Sequence, residues 1–155
     1  MKDLNTGVSQ QRGIFSRVGV RYEVACEVIG AVIAHYAELM ANELASTKPD
    51  QRRISMAQRL TSELKDAREG LDSRDPDAIE SAIERFGALA RHLYADADLS
   101  AAQARRAAQF DQANASLALE GLDVSADDLA VQARIIRGEW SHDQAVAWYL
   151  REAQG

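Results

Sequence analysis

The stretch Ala25-Cys-Glu-Val-Ile29-Gly-Ala-Val32-Ile-Ala-His35-Tyr36-Ala-Glu-Leu39 decides the fold class. Ala25, Ile29, Val32, Tyr36 and Leu39 recur at alternating spacings of four and three. An α-helix turns once in about 3.6 residues, so these positions form a single apolar stripe with polar residues on the opposite side. The stripe predicts a helix from about Ser16 to Ser46. Thr47-Lys-Pro49-Asp50 follows, with Thr47 able to cap, Pro49 suited to a first helical turn, and Asp50 completing a capping box.

The same periodicity continues outward. Ala57, Leu60, Leu64, Ala67 and Leu71 make the stripe of a second helix, with Gly70 as its stop. Asp75-Pro76 opens a third, Asp75 as cap and Pro76 at the first helical position. Its buried face is Ile79, Ile83, Phe86, Leu89 and Leu93. These helices predict an antiparallel bundle over residues 16–97, and the aperiodic residues 1–15 read as a flexible tail. Asp96 to Ser100 is a short polar break and marks the start of a second module, residues 98–155. Ser100-Ala-Ala-Gln103 is a capping box for a fourth helix that ends at Glu120-Gly121, where Gly121 supplies a left-handed closing residue. Leu122 should then fold back on Leu117. Ser125-Ala-Asp-Asp128 starts a fifth helix, Gly138 ends it, and Ser141-His-Asp-Gln144 starts a sixth. No strand-like alternation extends beyond a few residues. The expected fold is all-α, a helical bundle followed by a small three-helix module.

Composition narrows the function. The chain has 155 residues, 46% hydrophobic and 27% charged, with only 6% aromatic, which suits Ala-, Leu-, Ile- and Val-rich helix packing. The net charge is −6, and residues 1–99 and 100–155 each carry −3. Neither part is a basic arm, so nucleic acid is not an expected partner. The single cysteine, Cys26, sits inside an apolar helical run and reads as an inert buried thiol; its solitude suits a reducing cytoplasm. His35, His92 and His142 have no ligand spacing, so neither a metal nor another cofactor is expected. The longest apolar stretches are interrupted by Glu and His, and neither a signal peptide nor a membrane span is expected. No nucleophile–base set or phosphate loop is apparent, which argues against an enzyme.

Ser116-Leu-Ala-Leu-Glu120-Gly121 fits the pattern of Ser or Thr, three residues, Glu, then Gly or Asn. Alone it describes any helix ending in Glu-Gly. Its surroundings add more. The run Asn114-Ala-Ser116-Leu117-Ala-Leu119-Glu120-Gly121-Leu122, the acidic capped connection Asp123–Asp128, the short helix closed by Gly138-Glu139 and the Ser-capped last helix resemble, in that order, the VbhA-type antitoxins. The resemblance spans about residues 100–153 and does not reach the first bundle. It implies a Fic-domain toxin as partner and Ser116, Glu120 and Gly121 as the inhibitory motif. It further implies that Glu120 pairs with the toxin arginine that holds the ATP γ-phosphate, obstructing AMP transfer, while Ser116 orients the helix.

The residues themselves suit that role. Ser116 and Glu120, four apart, share a helix face, and unpaired carbonyls at the helix end would add partial negative charge beside the carboxylate. Such a site suits a guanidinium. Asn114, Leu117, Leu119, Leu122, Trp140 and Trp148 are candidate interface residues, although core packing accounts equally for Trp140, Trp148 and Tyr149. Arg105 and Arg106 read as a solvated helix face. Asp123, Asp127 and Asp128 could meet a basic toxin surface, but turn and capping chemistry also explains them. Residues 16–97 could extend the toxin contact, dimerise or bind another component. The runner-up for the whole chain is a small acidic helical chaperone or adaptor for a secreted effector.

Overall fold

The computed structural model describes residues 17–94 and 99–154; the expected tail, residues 1–15, lies outside them. The described residues form helices and no strand: α1 (Arg17–Ala45), α2 (Gln51–Glu69), α3 (Pro76–Tyr94), α4 (Ala101–Leu119), α5 (Ala126–Arg137) and α6 (His142–Glu152). The all-α expectation holds.

The local signals behave largely as their chemistry requires. Asp75 Oδ1 accepts from the amides of Asp77 (3.1 Å) and Ala78 (3.0 Å), satisfying donors that the first turn leaves unpaired. Capping boxes form at Ser100 with Gln103, Ser125 with Asp128, and Ser141 with Gln144. One start differs from expectation. Asp50, rather than Thr47, caps α2: its Oδ1 accepts from the amides of Arg52 (2.9 Å) and Arg53 (3.3 Å). Pro49 therefore stays outside the helix, and the expected box at Thr47 does not form. Gly70 ends α2 as expected, in a right-handed conformation with φ −76°.

α1 is the central helix. Ala25, Ile29, Val32 and Tyr36 are buried against α2 and α3, while Leu39 is half-buried at the stripe's end. By length and composition α1 does qualify as a membrane span, with mean hydropathy 1.5 over its most apolar 18 residues. Glu and His interrupt it less than expected, and 22% of that window is buried, its stripe of Ala25, Ile29, Val32 and Tyr36 packing against α2 and α3. α2 contributes Ile54, Ala57, Leu60 and Leu64, with Ala67 exposed; α3 contributes Ile79, Phe86 and Leu89, with Ile83 and Leu93 partly buried. Cys26 is half-buried, at the edge of the stripe.

The bundle does not close on three helices. α5 presents Ala126, Ala130 and Ala133, spaced four and three, into the same core. Small side chains let its backbone approach α3 and α2 closely. The opposite face of α5, Val131 and Ile135, forms a second cluster with Ala145 of α6, against which Phe110, Trp140 and Trp148 pack. α5 is thus one helix with two apolar faces, each buried by a different part of the chain.

Candidate functional site

α4 is attached differently from every other helix. None of its described residues is buried, and its contacts run along α5. Besides Phe110 against the second cluster, polar bonds fasten it: Gln103 Nε2 donates to the Arg137 carbonyl (3.3 Å), and Arg106 Nε and Nη2 donate to the Ile136 carbonyl (3.2 and 3.0 Å). These acceptors sit at the end of α5, where carbonyls lack helical partners. Arg106 is therefore a structural residue, and the solvated-face reading fails for it. Further along, Asn114 and Gln132 exchange two amide bonds of 2.8 and 2.9 Å. Asn114, an expected interface residue, spends its side chain on holding α4 to α5.

Beyond Asn114 the helix is exposed. Ser116, Leu117, Leu119, Glu120, Gly121 and Leu122 all lie on the surface, Leu119 being 69% accessible. Gly121 adopts φ +77°, and the left-handed turn completes a Schellman closure: the Leu122 amide donates to the Leu117 carbonyl (2.9 Å) and the Gly121 amide to the Ala118 carbonyl (3.2 Å). The expected return of Leu122 to Leu117 is present in the backbone, while both side chains face outward. The closure also occupies carbonyls expected to be unpaired, since those of Ser116, Leu117 and Ala118 all accept bonds. Glu120 is the capping residue, at φ −87°, still close enough to helical for its side chain to share a face with Ser116. Among the described residues no ion pair engages its carboxylate.

The other candidates are spent inside the chain. Trp140 and Trp148 are half-buried with ring centroids 6.4 Å apart; the Arg134 guanidinium lies over Trp140 at 4.5 Å. Tyr149 stacks edge-on against Trp148 and donates to Asp128 Oδ1 at 2.6 Å. Burial raises the Asp128 pKa, but the Tyr149 hydroxyl, the Ser125 amide and hydroxyl, and Arg59 outweigh it and leave the group below its ordinary value. Burial, then the Asp128 carboxylate, pushes the Tyr149 hydroxyl up. Asp127 pairs with Arg85 at 3.2 Å, and Asp123 meets Arg59 at 3.5 Å. The acidic connection is therefore engaged by arginines of α3 and α2. Sequence reading missed these partners, because nothing local links residues some forty to sixty positions apart.

The end of α4 thus presents a carboxylate with no ion-pair partner among the described residues, on the surface of an all-α unit. In comparison with known families, residues 105–151 are similar to the model of the family described as Antitoxin VbhA. The match begins at Arg105 in α4, ends at Arg151 in α6, and contains Ser116, Glu120 and Gly121. No curated protein and no solved structure matches the chain.

Proposed function

We propose that this protein is a cytoplasmic antitoxin that binds a Fic-domain toxin and blocks its AMP transfer. In this reading Glu120 occupies the arginine that would otherwise hold the ATP γ-phosphate. The observation that carries it is the family match over 105–151, which encloses Ser116-x-x-x-Glu120-Gly121 at the exposed end of α4. Glu120 competes for a guanidinium and performs no chemistry. Ser116, one turn earlier on the same face, orients the helix on the toxin. Leu117, Leu119 and Leu122, exposed around the carboxylate, supply the apolar contact that excludes water from the charge pair.

The test separates binding from inhibition. Truncating one member of a buried charge pair costs about 2–5 kcal/mol, mostly from the partner charge left unpaired. In Glu120→Gly, ATP entering the site offsets part of that loss by giving the arginine a phosphate. A nanomolar complex corresponds to about −12 kcal/mol and survives such a loss at cellular concentrations. The Glu120→Gly complex is expected to stay assembled by size exclusion yet transfer AMP, and Glu120→Gln is expected to behave alike. An intact Glu120→Gly complex as silent as the wild type would remove Glu120 from the inhibitory role.

A further inference from the structure

The family match starts at Arg105, yet the connection that follows Glu120 is held by residues far outside it. Arg59, on α2, donates from Nη2 to the Val124 carbonyl (2.9 Å) and from Nη1 to Glu63 Oε1 (2.7 Å), with Nε 3.5 Å from Asp123 Oδ2. The other Glu63 oxygen, Oε2, accepts from the Ala126 amide (3.0 Å), the first amide of α5. One Arg–Glu pair, one turn apart on α2, therefore grips three consecutive parts of the connection: Asp123, Val124 and the start of α5. Its side chains are partly shielded, at 29% and 37% accessibility, which strengthens charge-assisted bonds relative to open surface.

The consequence for Glu120 follows from what else restrains it. On its N-terminal side the last side-chain tie between α4 and α5 is Asn114–Gln132, six residues earlier. On its C-terminal side the Schellman turn passes directly into the segment that Arg59 and Glu63 hold. Removing the α2 grip releases residues 122–124, so that on the C-terminal side the nearest anchors become Ala126 in the core and the Arg85–Asp127 pair. We propose that Arg59 and Glu63 are positioning residues through which the N-terminal bundle fixes the presentation of Glu120; the functional half of this statement rests on the antitoxin reading above.

Two measurements test it on the full chain. Hydrogen exchange of the free protein follows the bonded amides of Leu122 and Ala126 alongside those of Ile29 and Leu60 in the bundle core. In Arg59→Ala and Glu63→Gln, the connection amides are expected to exchange about tenfold faster or more, as expected for loss of a charge-assisted bond, while the core amides hold their rates. AMP transfer by a Fic-domain enzyme that the wild-type chain silences is then measured at saturating variant. A positioning role leaves residual transfer at saturation that more variant does not remove, and Arg59→Lys, which keeps the charge without the fork, restores part of the silence. A purely structural role shifts the midpoint of inhibition and leaves full silence at saturation, which overturns the proposal. Unchanged exchange at the connection overturns it as well. Failure of the antitoxin reading is distinct: the wild-type chain then silences no Fic enzyme, and the exchange rates still decide whether α2 holds the connection.

Discussion

Replacing Leu60 by Ala asks whether the matched region stands on its own or shares one stability with the first three helices. Leu60 is fully buried in a cluster that combines α1, α2 and α3 with Ala126, Ala130 and Ala133 of α5. Deleting its three outer carbons removes transfer free energy and leaves a cavity, together about 2–5 kcal/mol for a site of this kind. In a protein of this size each kcal/mol lowers the melting temperature by about 2–4 °C, so a loss near the middle of that range predicts about 7–14 °C. The two tryptophans report selectively, because Trp140 and Trp148 both lie in the second cluster, against the far face of α5. If α5 joins the two clusters, tryptophan fluorescence and far-ultraviolet circular dichroism shift together and keep coincident midpoints. A tryptophan transition that stays in place while the dichroism transition moves or splits would refute the shared core.

Three other outcomes are expected. Gly121→Ala meets no atom within 4 Å of the new Cβ, so its cost is the backbone strain of φ +77° alone, about 1–2 kcal/mol, read by chemical denaturation. Asn114→Ala strands the Gln132 amide and should destabilise by about 1–3 kcal/mol, whereas Asn114→Ala with Gln132→Ala should cost little more than either single change; additive losses would deny the reciprocal pair. The Asp128 pKa is depressed on folding below its ordinary 3.8, so its contribution is complete above that pH and is lost as pH falls through the lower folded value. Acid unfolding should therefore steepen below about pH 3.8, and Asp128→Asn should flatten that limb.

Helix existence and helix ends were legible because their causes are local. The stripe of α1, the boxes at Ser100, Ser125 and Ser141, and the left-handed turns at Gly121 and Gly138 each need only a few neighbouring residues. Where two local signals competed, at Thr47 and Asp50, sequence chose the earlier cap; Asp50 carries the acceptor that reaches two free amides at once. The Ser116-x-x-x-Glu120-Gly121 pattern was legible only as a resemblance, and the structure adds its exposure. The double role of α5 escaped, although Ala126, Ala130 and Ala133 hold helical spacing, because alanines read as neutral filler until a partner helix is known. The grip of Arg59 and Glu63 had no signal at all, since each is an ordinary charged residue on α2 until the chain returns to it after Leu122.

The polar fastening of α4 has a consequence for the order in which the protein matures. Each of its side-chain attachments reaches forward in the chain, to Gln132, Ile136 and Arg137. During synthesis, at about 5–20 residues per second, the helix bearing Glu120 is made before anything exists to hold it, and a helix without a buried face has little reason to persist in water. α1, α2 and α3 can collapse as they emerge, whereas α4 waits for α5, and α5 in turn docks on helices finished long before it. The completed end of the chain therefore acts as a latch on its middle, and a nascent or truncated product lacking α5 has the motif in its sequence but not on a fixed scaffold.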